Sequence, residues 1–372
     1  MTADKTGADN RFLRLALSLA RRGLGRVWPN PAVGCVIVRD DRIIGRGWTQ
    51  PGGRPHAETV ALAQAGGAAQ GATAYVTLEP CAHHGKTPPC ADTLIKAGVA
   101  RVVCALGDPD PRVDGGGFDM LRAAGIEVVT GLCEDEAHVD QAGFLSRVTR
   151  GRPMMTLKLA SSFDGRIATA SGESQWITGP AARRHVHAMR ANHDAVMVGA
   201  GTARDDDPSL TVRGLGIEHQ PVRVVLSRHL DLPLDSKLAK SAKEIPIWIC
   251  HGRRAAPELI SVWKDIGATL IEVDEAQATL DPTSVLEALG ARGLTRVYCE
   301  GGGGVAASFL MAGMVDELVG YGAGLAIGAE GRPSLAAMGL SRLAEAPRFE
   351  LVECRDIGGD VLHRWRATPS TP

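Results

Sequence analysis

The sequence predicts an α/β protein built from two domains. Three observations lead there. Strand-like and helix-like runs alternate along most of the chain, and Gly151-Arg152-Pro153 interrupts that alternation before it resumes. The third is length: 372 residues at roughly 150 per domain make about 2.5 domains. The expected boundary lies near residue 150, with one domain over 1–150 and the other over 151–372.

Residues 11–22 carry apolar positions at helical spacing and stop at Gly23, so they read as a helix. Ala32–Val38 and Ile43–Trp48 are short apolar runs joined by Arg39-Asp40-Asp41-Arg42, the pattern of a β-hairpin. Then follow a helix over His56–Ala65, a strand over Ala74–Leu78 and a helix over Ala91–Ala97. Arg101–Ala105 is a strand, Phe118–Ala124 a helix, Ile126–Thr130 a strand and Glu134–Val148 a helix. Helices are expected on both faces of the resulting sheet. In the second half the strands are Met154–Ala160, Ala195–Gly199, Val222–Ser227, Pro246–Cys250, Thr269–Val273, Arg296–Cys299 and Val315–Tyr321. A closing pair spans Phe349–Cys354 and Val361–Arg366.

Composition narrows the function. A hydrophobic fraction of 44% suits a folded core and argues against disorder. Lys+Arg 41 against Asp+Glu 42 leaves a net charge of -1, which lacks the basic footprint of a nucleic-acid binder. The longest uncharged run, Thr59–Leu78, is broken by glycine and glutamine and is no membrane span. Eight cysteines without a secretion signal point to reduced thiols or metal ligands, hence to the cytoplasm.

The chemistry concentrates in two places. His56-Ala57-Glu58 opens a helix, Cys81 follows the strand-to-proline stretch Thr77-Leu78-Glu79-Pro80, and Cys90 follows with eight residues between it and Cys81. One imidazole and two thiolates make a tetrahedral zinc set with the fourth position open to water. Zinc lowers the pKa of such a water to roughly 7. Glu58 is not needed as a ligand and is placed to carry a proton to a departing amine. The order is that of zinc-dependent nucleobase deaminases, although their usual second motif is Cys-x-x-Cys. His83 and His84 lie between the cysteines, where either could replace a ligand, stay in solvent or touch substrate. A structural zinc module would close its site with four protein ligands, and three are evident. A nucleic-acid-editing deaminase would need a basic channel, which the charge balance opposes.

In the second half, Gly301-Gly302-Gly303-Gly304 follows a strand and precedes the helical run Val305–Ala312. Bare amides at a helix start cradle a pyrophosphate, although a glycine run alone more often marks a turn. Gly199-Ala200-Gly201-Thr202 offers a second close approach. Arg190 and Arg213 are forks suited to a phosphate, and most arginines are simply solvated.

Pro-Asn-Pro-Ala-Val-Gly (29–34), His-Ala-Glu (56–58) and the stretch 75–90 ending Lys-Thr-Pro-Pro-Cys resemble the bifunctional deaminase/reductase family of bacterial riboflavin biosynthesis. So do Leu157–Gly165, Ser171–Thr178, Asp206–Arg213 and Glu300–Gly303. The resemblance implies a cytidine-deaminase-like α/β/α domain followed by a dihydrofolate-reductase-like α/β domain. It implies zinc on His56, Cys81 and Cys90, Glu58 as proton shuttle, and Asn30, His83 and Lys86 facing a phosphorylated pyrimidine. For the reductase it implies NADPH against Ala160, Trp176, Thr202, Asp206, Ser227, Gly302, Gly303, Gly304 and Val305. Ser174, Arg190, Leu210, Arg213 and Glu300 would surround the ribosyl phosphate, and Lys158 and Asp206 would handle the proton beside the hydride. Ser227-Arg228 at a strand end would read the extra phosphate of NADPH. A small-molecule substrate, no nucleic acid, no membrane and a homo-oligomeric state are expected.

Overall fold

The computed structural model describes residues 2–83, 88–276 and 278–368. The chain divides at Gly151/Arg152 into two compact units. No helix among the described residues is long and apolar enough to cross a membrane.

In the first unit, helix α1 (Thr2–Ala20) precedes the hairpin β1 (Gly34–Arg39) and β2 (Arg42–Trp48), then α2 (Ala57–Ala65), β3 (Thr73–Val76), α3 (Cys90–Lys96), β4 (Arg101–Cys104), α4 (Gly116–Ala123), β5 (Glu127–Thr130) and α5 (Glu134–Arg150). The sheet order is β2-β1-β3-β4-β5. Pairing is antiparallel around β1 and parallel from β3 to β5. Helix α1 starts well before the expected residue 11. Leu13, Leu17, Ile37, Leu78, Leu94 and Leu121 are buried in one core between the sheet and its helices. Gly47 sets the height of α2 on the hairpin. A Cβ there would lie 2.2 Å from the carbonyl oxygen of Ala57, so only glycine lets the helix start come this close.

The second unit has the order β6 (Met154–Ser162), β7 (Arg166–Ala168), α6 (Pro180–Ala191), β8 (Ala195–Gly199), α7 (Ala200–Asp205), β9 (Val222–Leu226), α8 (Lys237–Lys240), β10 (Ile247–His251), α9 (Pro257–Ile266), β11 (Thr269–Glu272), β12 (Glu275–Ala276), β13 (Thr279–Leu280), α10 (Pro282–Ala291), β14 (Arg296–Cys299), α11 (Gly303–Met311), β15 (Glu317–Ala323), β16 (Arg332–Pro333), β17 (Phe349–Asp356) and β18 (Val361–Ala367). Nine strands form one sheet, β11-β10-β9-β8-β14-β6-β15-β18-β17. It is parallel from β11 to β15 and antiparallel through β18 and β17. Strands β8 and β14 begin and end where their sequence pattern does. The two-residue strands and β7 carry no apolar alternation, and sequence periodicity did not reveal them. The order matters for the site. β8, β14 and β6 are neighbours, so Gly199 at the end of β8 and Glu300 just past β14 lie at one edge beside Lys158 in mid-β6, where open α/β sheets receive ligands.

Candidate zinc centre and reductase cleft

In the first unit the chain brings His56, Cys81 and Cys90 together, with donor atoms all within 4.8 Å of one another. His56 is the N-cap of α2 and Cys90 the first residue of α3, so two helix starts present ligands to one point. The His56 Nδ1 atom lies 3.2 Å from Cys90 Sγ and 3.8 Å from Cys81 Sγ. Tetrahedral zinc with bonds of about 2.3 Å to sulfur and about 2.0 Å to nitrogen needs an N···S edge of roughly 3.5 Å, so the trio fits that ion. The Cys90 N–H donates to Cys81 Sγ at 3.3 Å. The hydrogen bond from the Cys90 thiol, aided by His56, holds the Cys81 thiol well below its ordinary pKa. Glu58 is buried one residue into α2; burial, then the charge of Cys81, pushes its carboxyl up.

The expected substrate contacts divide. Asn30 is tied back, its Nδ2 donating to the Gly53 carbonyl at 2.9 Å. His83 keeps a buried Nδ1 with no hydrogen-bond partner among the described residues. Lys86 and His84 lie outside the described residues. Sequence reasoning missed Glu79, a buried carboxylate whose partners are all backbone amides, and Asp108, whose carboxyl burial pushes up to about 6.

In the second unit, the Lys158 ammonium feels the charges of Glu300, Arg190 and Asp206. Burial lowers the Lys158 pKa and Glu300 counters it. Burial raises Glu300, and Arg190 outweighs that rise, leaving the carboxyl below its ordinary range. Burial, then Asp205, raises Asp206. Arg190 is not the free phosphate fork expected of it. Its Nη2 donates to Glu300 Oε2 at 2.9 Å, its Nε to Oε1, and its Nη1 to the Thr211 carbonyl at 2.8 Å. Arg213 is exposed, with no ion pair among the described residues, and remains available. His187, three residues before Arg190 on α6, meets the same segment through Thr211 O at 3.1 Å and the Arg213 N–H at 3.2 Å. Leu210 has φ 53° and a side chain buried in the core, so only its backbone can face a ligand.

The glycine run has separate duties. Gly301 turns the chain at φ 80°, Gly302 caps α11 and donates its N–H to Thr202 Oγ1 at 3.2 Å, and Gly303 is crowded by Pro333–Ala336. A Cβ at Gly201, Gly301 or Gly304 would meet nothing within 4 Å, which leaves an open backbone edge at a helix start that fits a cofactor pyrophosphate. Gly199 serves packing instead, since a Cβ there would strike Val305 Cγ2 at 2.6 Å. Trp176 is 68% exposed with the Arg183 guanidinium 4.5 Å over its ring. Ala160 lies on β6 and Ser174 on the loop before α6. Ser227 departs from expectation. It is fully buried and its hydroxyl donates to Asp231 Oδ1 at 3.0 Å, so Arg228 alone faces outward at that strand end.

Comparison with known proteins identifies both domains. Residues 6–106 match the cytidine and deoxycytidylate deaminase zinc-binding region, and residues 153–363 match the RibD C-terminal domain. The riboflavin biosynthesis protein RibD of Escherichia coli K12 is 42% identical over 366 residues, covering 95% of this chain and 98% of that protein. RibD of Aquifex aeolicus is 38% identical over 354 residues, covering 95% and 97%. The solved structure of Acinetobacter baumannii RibD has a TM-score of 0.87 at 41% identity, covering 98% of this chain and 100% of that one. A diaminohydroxyphosphoribosylaminopyrimidine deaminase/5-amino-6-(5-phosphoribosylamino)uracil reductase from Thermotoga maritima has a TM-score of 0.85 at 36% identity, covering 98% and 100%. With a zinc-binding deaminase domain before a dihydrofolate-reductase-like one, the chain belongs to the RibD family, the bifunctional deaminase/reductases of riboflavin biosynthesis.

Proposed function

We propose that residues 1–150 deaminate a diaminohydroxyphosphoribosylaminopyrimidine and that residues 151–372 reduce the resulting 5-amino-6-(5-phosphoribosylamino)uracil with NADPH. The names are those of the Thermotoga maritima relative's two activities. The observation that carries the reading is the His56/Cys81/Cys90 trio with Glu58 buried beside it.

Zinc on the trio supplies a water acidic enough to ionise near neutral pH. Glu58 takes the proton released at that water and returns it to the leaving amino nitrogen, which departs as ammonia. Burial favours this role, because a carboxyl raised above its ordinary range holds the proton more tightly between the two transfers. His83 Nδ1 contacts the pyrimidine, Asn30 holds the wall of the pocket through Gly53, and Lys86 meets the substrate from the loop between the two cysteines.

NADPH supplies hydride. Gly301–Gly304, with Thr202 beside them, would hold its pyrophosphate, and Ala160, Trp176 and Val305 would border the rest. The cofactor would supply hydride to C1′ of the ribosyl group, and the ring oxygen freed there would need one proton. Lys158, its pKa lowered by burial, donates that proton, and Asp206 restores it. Arg213 takes the phosphate, with Ser174 and the Leu210 backbone nearby, while Arg190 holds Glu300 in place toward the sugar hydroxyls. Unpaired cysteines throughout the chain support a reducing, cytoplasmic setting.

The test is product identification by mass. The purified protein should release ammonia from the pyrimidine phosphate without NADPH and add two hydrogens only with it. Reduction of the substrate before any deamination would refute the order, and release of ammonia from single-stranded DNA or tRNA would refute the substrate class.

A further inference from the structure

We infer that Glu79 is a positioning residue for the zinc ligand Cys81. It is 4% exposed and meets no cation among the described residues. Instead its two carboxylate oxygens accept four backbone N–H groups from the segment that runs from the end of β4 into α4. Oε1 takes Gly117 at 2.9 Å and Phe118 at 3.2 Å, while Oε2 takes Asp108 at 3.3 Å and Gly115 at 3.2 Å. Two of these donors belong to the first turn of α4, whose unpaired amides favour a negative charge.

The clamp matters because of what the loop then touches. A Cβ on Gly117 would lie 2.0 Å from the Pro80 carbonyl oxygen, and one on Gly116 would lie 3.3 Å from Ala82 Cβ. The loop is therefore pressed onto both neighbours of Cys81. The Glu79 N–H also donates to Leu106 O at 2.9 Å, tying the approach to Cys81 to the exit of β4. Cys81 sits on an extended turn with no helix to hold it, unlike His56 and Cys90 at their helix starts. Glu79 supplies the rigidity that the helix supplies for the other two.

An amide cannot replace this carboxylate. Whichever way the side chain of a Glu79→Gln variant turned, an NH2 group would stand where one oxygen now faces two N–H donors. Two bonds would be lost and replaced by donor–donor repulsion. The inference rests on zinc being held by His56, Cys81 and Cys90. Full-length wild type, Glu79→Gln and Gly116→Ala, each loaded with zinc, are compared by timed release to a chromogenic chelator, and in cobalt-substituted form by thiolate-to-metal absorption. Glu79→Gln should release zinc about tenfold faster and shift the cobalt band. Gly116→Ala, which keeps the carboxylate but lifts the loop from Ala82, should move both readouts the same way by less. Wild-type release and spectrum in folded Glu79→Gln would overturn the proposal. Should that variant not fold, unchanged release and spectrum in Gly116→Ala would overturn it. A wild-type chain that binds no zinc would refute the metal site itself, a separate result.

Discussion

Asp9 and Arg101 close a two-pronged ion pair inside the first unit, Nη1 to Oδ1 and Nη2 to Oδ2, both at 2.8 Å. The Tyr75 hydroxyl donates to the same carboxylate at 2.8 Å, so α1, β3 and β4 meet at one buried charge. Removing Asp9 leaves the buried Arg101 guanidinium with only the exposed Glu127 carboxylate, 3.0 Å from its Nε, as an ion-pair partner. Asp9→Ala should cost about 3–5 kcal/mol, read as an earlier denaturant midpoint for zinc release. Replacing both residues, as Asp9→Leu with Arg101→Met, should cost less than either single change. A double variant that loses as much as the two singles combined would show that the pair has no coupling.

The two activities should separate cleanly. Cys81→Ser is expected to lose zinc, since a hydroxyl is a poor substitute for thiolate. Glu58→Gln should keep the metal and lose deamination by at least ~100-fold, because an amide moves no proton. It should still reduce the deaminated pyrimidine added from outside. Loss of both activities in folded Glu58→Gln would contradict two independent sites.

Arg190→Lys tests whether the fork on Glu300 serves the reductase. Lysine keeps the charge and loses the paired geometry, forfeiting about 1.5–3 kcal/mol of charged hydrogen bonding. Reductase turnover should fall roughly 10–100-fold, with deamination unchanged. Equal turnover would leave Arg190 a purely structural anchor.

Cofactor choice should now depend on Arg228, 33% exposed and only loosely paired with Glu275 at 3.9 Å. Arg228→Ala is expected to weaken NADPH binding about tenfold with NADH little changed, by the worth of one charged hydrogen bond. Ser227→Ala should affect neither, as that hydroxyl serves Asp231. Titration of both cofactors against both variants decides it.

The second unit carries a pH-dependent weakness at His193. Burial drives its pKa from 6.5 to about 3, with Nδ1 donating to the Met189 carbonyl at 2.7 Å. The folded chain thus keeps the ring neutral while the unfolded chain protonates it below about 6.5. Stability is full above that pH and falls as pH drops, by about 1.4 kcal/mol per unit down to roughly pH 3. Urea midpoints across that window should show the slope, and His193→Gln should flatten it.

Much of this was legible in the sequence. Ala195–Gly199 and Arg296–Cys299 are apolar runs between breakers, and they form strands at those bounds. His56, Cys81 and Cys90 stood out because metal ligands are recognised by element and side chain, and helix starts lie where the chain turns. Other features leave no such trace. The partners of Glu79 are backbone amides, which every residue except proline has. Arg190 and Glu300 are 110 residues apart, so nothing local says that the fork is already occupied. Ser227 looked free because its partner Asp231 is an ordinary turn residue until the fold brings the two together.

Cys81 on an extended turn and Cys90 at the start of a helix stand at the two ends of a span of eight residues. Closing a loop costs little more when it lengthens, about 0.6 kcal/mol per doubling. The length of that span is therefore weakly constrained by closure entropy, while its two ends are fixed by the ligands they carry. A stretch of different length beyond Ala82, the residue against which Gly116 packs, would leave the same three donors in place.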